Sequence, residues 1–203
     1  MEIKKQEYDS SFDSSYIEIG KYLYESLLNI IADNRTIIFL CIGTDRCTGD
    51  SLGPLVGYRL KHISSLFKKK NIFFYGSLES PVHSMNLENI INKINSNFIN
   101  PYIVAIDSCL GKTIDIGKIF ISNSPLFPGS AINKNLPSVG DLSITGIVNI
   151  SGKYDFLTLQ NTRLYTVFTI SDTIFKGINH FLELYTKNHM ITAMKKELLQ
   201  DEQ

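Results

Sequence analysis

Four acidic residues follow the first three apolar segments of this 203-residue chain: Asp45, Asp50, Glu79 and Asp107. Carboxyls that meet in one crevice repel each other, which raises the pKa of at least one and can place a neutral acid beside an ionised base. Such a pair can activate water for hydrolysis, and its oxygens can equally bind a divalent metal. Asp45 and Glu79 have the weaker case, because acids in loops are ordinarily just solvated.

Asp50 and Asp107 are the pair that the residue pattern favours. Asp107 ends an otherwise apolar segment. Asp50 precedes a helical pattern, where an Asp commonly caps the helix. Pro54, however, suits the first helical position, which would make Gly53 the cap and leave Asp50 free for chemistry.

Two cysteines and a histidine offer other chemistry at the same predicted edge of the sheet. Cys47 and Cys109 both follow predicted strands. A nucleophilic thiol needs a base or a cation to lower its pKa; Arg46 or His83 could supply it, although the spacing does not require this. His83 is either a ligand or general base, or an ordinary loop histidine.

The elements that must position these side chains alternate between strand and helix. The predicted strands are 36–42, 71–78 and 102–106, and the predicted helices are 14–33, 55–67 and 87–98. Such alternation predicts an α/β protein, a three-layer α/β/α sandwich with a mostly parallel central sheet. Ligands of such sheets bind beyond the carboxyl ends of the strands, which is where the acids follow.

The second half of the chain is richer in predicted strands. Segments 116–122, 142–150 and 164–170 are predicted as strands, and 172–186 as a closing amphipathic helix. A long loop at 123–140, rich in Pro, Gly, Asn and Ser, is predicted to form one wall of the site.

Composition restricts the class of protein. With 43% hydrophobic and 20% charged residues, we predict one folded domain over 1–203, flexible only at the polar stretch 1–13. Zero net charge argues against a nucleic-acid partner and against polybasic membrane attachment. The longest apolar run, 37–42, is too short to span a bilayer, and the N-terminus lacks a signal core. Three cysteines without a CxxC pair complete the prediction of a cytoplasmic protein, and no cofactor is predicted.

Five segments resemble the YyaC family of sporulation proteins. The most specific is 41–57, CIGTDRCTGDSLGPLVG, and the others are 78–83, 105–111, 139–149 and 159–164. They mark a family-like core over 36–185, and the chain is identified as a member of that family of spore-forming bacteria.

This family is similar to the germination protease, an atypical aspartic endopeptidase that degrades small acid-soluble spore proteins. The resemblance implies the phosphorylase/hydrolase-like fold that is also found in hydrogenase maturation proteases. By motif, the two essential aspartates fall on Asp50 and Asp107. The expected supporting or substrate-binding residues are Asp45, Arg46, Glu79 and His83, to which the resemblance adds Ser130 and Lys134.

Departures from those relatives leave alternatives open. The chain is shorter than the germination protease and shows no recognisable propeptide. It also has no histidine between His83 and His180 to complete the metal site of the hydrogenase maturation proteases. The leading hypothesis is a metal-free peptidase of sporulating cells that acts on a protein or peptide, with small acid-soluble spore proteins as candidate substrates. The alternative is a catalytically silent binding or regulatory protein that keeps the fold, and a metal-dependent hydrolase is a third reading. A homo-oligomer is compatible with each.

Overall fold

The central sheet of the molecule is mixed. The computed structural model describes residues 5–67, 70–128 and 138–200, with 189–200 described as backbone. Its strands are β1 (Lys5–Asp9), β2 (Ile37–Cys41), β3 (Ile72–Tyr75), β4 (Tyr102–Gly111), β5 (Lys118–Ser122) and β6 (Leu142–Ile150). Within the described residues these six strands are ordered β1-β5-β6-β4-β2-β3. The pairs β3–β2, β2–β4 and β4–β6 are parallel, whereas β5 is antiparallel to both β6 and β1.

Helices cover both faces of this sheet. They are α1 (Ser15–Ala32), α2 (Leu52–Lys61), α3 (Ser64–Phe67), α4 (Leu87–Asn97), α5 (Asp155–Gln160) and α6 (Leu164–Gln200). Helices α1, α2 and α6 pack on one face, and α4 packs on the other. None of the described helices is both long enough and apolar enough to cross a bilayer. The predicted α/β class is therefore confirmed, with a mixed six-stranded sheet.

Strand β2 shows why the central strands form here. All five of its residues are buried. Ile37 and Phe39 contact the core beneath α1, α2 and α6, whereas Ile38 and Leu40 contact the core beneath α4. A strand covered on both faces needs a continuous apolar run, which is what the sequence has at this position. The strand thus anchors the loop that follows it.

The N-terminal segment departs from the prediction. Residues 1–13 were expected to be flexible, yet Lys5–Asp9 forms β1 and pairs with β5. Tyr8 is its buried residue, and Lys5 lies 3.9 Å from the centre of the Phe120 ring. Tyr8 is the only residue of β1 that is fully buried, so the segment lacks the alternating apolar pattern that predicts a strand. Its pairing with β5 depends on a distant segment, which the local residue pattern does not reveal.

A second difference concerns residues 164–170, which were predicted as the last strand. They form the first turns of α6 instead. Val167, Ile170 and Ile174 are buried at helical spacing. The run contains enough β-branched and aromatic residues to read as a strand, and periodicity alone does not separate the two structures over so short a segment.

Candidate active site

A cleft of about 780 Å³ opens beyond the carboxyl ends of β2 and β4. The loop after β2, the residues around His83, Pro125–Pro128 and α5 form parts of its wall, and β4 and β6 form others. Asp50 and Asp107 both line it. The cleft therefore lies at the edge of the sheet where the sequence predicts a site.

Asp50 reaches the cleft because the loop after β2 folds tightly on itself. The N–H of Thr44 donates to the main-chain oxygen of Asp50 over 2.9 Å. Gly43 has φ +133°, and a Cβ there would lie 2.0 Å from that same oxygen. A Cβ on Gly53 would lie 2.0 Å from the main-chain oxygen of Ile42. Only glycine permits these approaches, which bring Asp50 and the start of α2 against the end of β2.

Asp50 does not cap the helix that follows. It ends a 3-10 turn, Thr48–Asp50, and the N-cap position of α2 is Ser51. The helix therefore begins two residues before the predicted Pro54, at Leu52. Because neither of these positions uses the Asp50 side chain as a cap, its carboxyl remains available to the cleft.

Asp107 is held by a strand rather than by a loop. Strand β4 was expected to end at residue 106, but it continues to Gly111 because β6 pairs alongside it. Asp107 lies opposite Thr145 of β6 in this register and is 7% exposed. Its Oδ1 accepts a hydrogen bond from the N–H of Ser108 over 2.8 Å.

The two carboxyls favour protonation strongly. Burial raises the pKa of Asp50 from 3.8 to about 6, and the nearby N–H of Thr44 offsets part of this effect. Burial also raises the pKa of Asp107 well above its ordinary value, and the charge of Asp50 raises it further. Because each ionisation opposes the other, the pair holds its last proton more tightly than an isolated aspartate does.

His83 and Arg46 are the predicted supporting residues that also line the cleft. The N–H of Gly43 donates to the carbonyl of Val82 over 2.8 Å, which holds the His83 loop beside the loop after β2. His83 Nδ1 accepts from the N–H of Met85 over 3.2 Å, so the neutral ring carries its proton on Nε2. Among the described residues no carboxylate lies within 4 Å of the exposed Arg46 guanidinium.

Asp45 and Glu79 lie outside the cleft. Asp45 is exposed, and Glu79 is exposed and forms an ion pair with Lys61 of α2. Strand β3 ends at Tyr75, four positions before Glu79, so the acid lies on a loop turned toward α2. Ser130 and Lys134 fall outside the described residues.

Sequence reasoning missed the contributions of β6 and α5. Ser143 and Thr145 line the cleft from β6, and Asp155, Phe156 and Leu159 line it from α5. The signal that could have found Thr145 is the pairing of β6 with β4, which depends on strand order. Strand order between distant segments is not written in local periodicity.

Cys47 and Cys109 also line the cleft, but their surroundings disfavour the thiolate. Burial and the charge of Asp50 raise the pKa of Cys47 despite backbone hydrogen bonds that lower it. Burial and the charge of Asp107 raise the pKa of Cys109. A thiol activated for attack needs the opposite change. Among the described residues, no group of three or more His, Cys, Asp or Glu side chains could hold a metal ion.

Comparisons with known proteins support the resemblance to the YyaC family that the sequence segments indicate. The model of a family described as "Protein of unknown function (DUF1256)" matches residues 8–177, which include both cleft aspartates. The chain is 44% identical over 148 residues to a Bacillus subtilis (strain 168) protein described as "Uncharacterized protein YyaC". That alignment covers 73% of this chain and 70% of the relative. The predicted YyaC-type membership is thereby confirmed, and the chain belongs to the DUF1256 family.

Proposed function

We propose that the protein is a peptidase in which Asp50 and Asp107 share one proton and activate water. The observation that carries the proposal is the pair itself: two carboxyls of one cleft, both with raised pKa values, and the charge of one felt by the other. Two carboxyls whose environments oppose double ionisation supply a base and an acid at the same place.

The difference in burial between the two carboxyls underlies the roles in this proposal. Asp50, the less buried of the two, is the ionised member and accepts a proton from water as the water oxygen bonds to the peptide carbonyl carbon. Asp107, more deeply buried, holds the shared proton and donates it to the carbonyl oxygen. The tetrahedral diol then breaks its C–N bond: the leaving amine takes the proton from Asp50, and one hydroxyl returns its proton to Asp107 as the carboxyl product forms.

Arg46 and His83 add polar groups to the cleft wall. The Arg46 guanidinium is available to the developing oxyanion or to an acidic substrate side chain. The Nε2–H of His83 is a neutral donor for a substrate carbonyl. Asp45 and Glu79, which lie outside the cleft, would bind only parts of a substrate that extend beyond it.

The resemblance of the 41–57 and 105–111 segments to the germination protease supports peptide hydrolysis as the reaction. On that basis we further propose small acid-soluble spore proteins as substrates, and the cytoplasm of a sporulating cell or spore as the place of action. The phosphorylase/hydrolase-like form of the α/β fold belongs to the same proposal.

The direct test is digestion of small acid-soluble spore proteins, and separately of a forespore extract, followed by mass spectrometry of the fragments. Wild type should cleave, and Asp50→Asn should cleave about 10²–10⁴-fold more slowly, because the base is lost. Asp13→Asn is the control: it removes an exposed carboxyl that does not line the cleft, and its rate should equal wild type. Failure of wild type to cleave contradicts the proposal and favours the non-catalytic binding protein, whereas equal cleavage by Asp50→Asn contradicts the role given to Asp50.

A further inference from the structure

The corner between α5 and α6 exposes an unusual number of large apolar side chains. Six of them lie between positions 154 and 168, and each is 53–68% exposed: Tyr154, Phe156, Leu157, Leu164, Tyr165 and Phe168. We call these six, with Lys153 and Arg163, the α5–α6 surface. These apolar side chains together expose on the order of 500 Å².

The exposure does not arise from a loosely held corner. The side-chain amide of Asn149 on β6 donates to Thr162 Oγ1 over 3.2 Å, and Thr162 Oγ1 donates to the carbonyl of Thr158 over 2.8 Å. Leu159 is buried against the 3-10 turn, where a Cβ on Gly49 would lie 2.8 Å from it. The inner residues of both helices are thus fixed, and the outer ones project from a rigid base.

The α5–α6 surface carries two cations, and one acid, Asp155, lies in the same corner. Lys153 Nζ lies 5.6 Å from the ring centre of Tyr154, and the Arg163 guanidinium lies 5.4 Å from that of Tyr165. Among the described residues, neither cation has a carboxylate within 4 Å. Asp155, the acid of this corner, already accepts hydrogen bonds from the N–H of Gly152 and the hydroxyl of Ser151.

We propose that the α5–α6 surface docks an acidic, amphipathic segment of a partner protein. Apolar side chains of the partner would cover the exposed rings, and its carboxylates would pair with Lys153 and Arg163. A symmetric contact with a second copy is disfavoured, because it would bring these cations toward their own equivalents. Phe156 belongs to both this surface and the cleft wall, so a docked segment would lead directly into the cleft.

The proposal does not require peptidase activity, and its test measures binding. The probe is a fluorescein-labelled synthetic peptide of about 18 residues with Leu and Phe on one helical face and Glu on the other. A second peptide carries Lys in place of every Glu. Fluorescence anisotropy with wild type should give a measurable Kd for the Glu peptide and at least tenfold weaker binding of the Lys peptide.

Variants locate the binding site. The double variant Tyr165→Ser/Phe168→Ser should weaken the Glu peptide at least tenfold, as loss of aromatic anchors does. Arg163→Glu leaves the apolar side chains in place. It should reduce the ratio between the Kd of the Lys peptide and the Kd of the Glu peptide. Ile114→Ser is the matched control, since Ile114 is 78% exposed and distant in the sequence, and it should bind as wild type does. Asp50→Asn should also bind normally, which separates this inference from the proposed reaction.

Three outcomes would overturn the inference. One is equal binding of the two peptides, and another is unchanged binding in both surface variants when thermal melts show that they are folded. The third is evidence that the surface binds something else. Such evidence would be a wild-type dimer in sedimentation that the double variant does not form. It would equally be tighter binding of wild type to vesicles of phosphatidylserine and phosphatidylcholine than to the Glu peptide.

Discussion

Two aspartates near the ends of α2 have opposite electrostatic environments. Before the helix, Asp50 lies in a cleft where burial raises its pKa to about 6. At its far end, Arg59 forms an ion pair with Asp172 of α6, and Lys176 Nζ lies 2.8 Å from the same carboxylate. Partial burial alone would raise the pKa of Asp172, but the hydrogen bonds from Lys176 and Arg59 outweigh it, and the pKa is lowered.

The comparison distinguishes a carboxylate that stabilises the fold from one that is available for reaction. Asp172 joins α2 to α6 and gains from being charged, whereas no ion pair joins Asp50 or Asp107 to a cation of the described residues, and both are harder to ionise. Ionisable groups held in an unfavourable state concentrate at functional sites. The difference in charged partners, which residue type alone does not show, supports the cleft as the site of the proposed reaction.

The largest expected difference between the two regions is in the pH dependence of cleavage. Because Asp50 must be ionised, kcat/KM should fall about tenfold for each pH unit below about 6, reaching about a hundredfold at pH 4. It should fall again at alkaline pH, when Asp107 loses the shared proton. Initial rates on a fluorogenic peptide across this range provide the measurement. Asp172→Asn should keep the same profile, and a flat profile for wild type would remove Asp50 as the base.

The next effect is on stability, and its sign is unusual for an aspartate. The pKa of Asp50 is 3.8 in the unfolded chain and about 6 in the folded protein. Between these two pH values the unfolded chain ionises more readily, which favours unfolding. Asp50→Asn should therefore gain stability over wild type as pH rises from about 4 to about 6, by on the order of 2–3 kcal/mol. Urea unfolding at several pH values measures this. A gain of equal size at every pH would show that the cause is not ionisation.

Asp172→Asn should give the smallest effect, and in the opposite direction. Its folded pKa is lowered, so the stabilisation is present above the ordinary pKa and is lost as pH falls through the folded value. We expect the free energy of unfolding of Asp172→Asn to be about 1 kcal/mol lower than that of wild type at pH 7, as is typical of a partly exposed ion pair. The decrease should be smaller at pH 3. The same unfolding series reports it. If Asp172→Asn instead raised stability at pH 7, the contrast between the two regions would fail.

Local sequence was sufficient to find the two central acids. Asp50 follows a buried strand and Asp107 ends the apolar run of another, and parallel strands bring their carboxyl ends to one edge. The same reasoning grouped Glu79 with them, but β3 lies at the margin of the sheet, and the loop after it turns Glu79 toward Lys61. The direction of a strand predicts at which edge of the sheet the following loop lies. It does not predict the position of a loop residue along that edge.

The parts that local sequence missed depend on distant pairing. Thr145 faces Asp107 only because β6 enters the sheet beside β4. Strand β1 exists because β5 offers it an edge, and residues 164–170 are helical because their inner face packs with the helices over the sheet. In each case tertiary contacts decide what the intrinsic preference of the segment leaves open.

The two cleft aspartates differ in how freely they can move, because they stand on different kinds of support. Asp107 lies within a paired strand. Asp50 instead ends a short turn, where the N–H of Thr44 donates to the carbonyl of Asp50 and the N–H of Asp50 donates to the carbonyl of Cys47. We therefore expect opening or closing of the site to displace the Asp50 loop more than Asp107. Amide hydrogen exchange at Thr44 and Asp50 would report that motion, and a ligand that bridges the two acids should slow it.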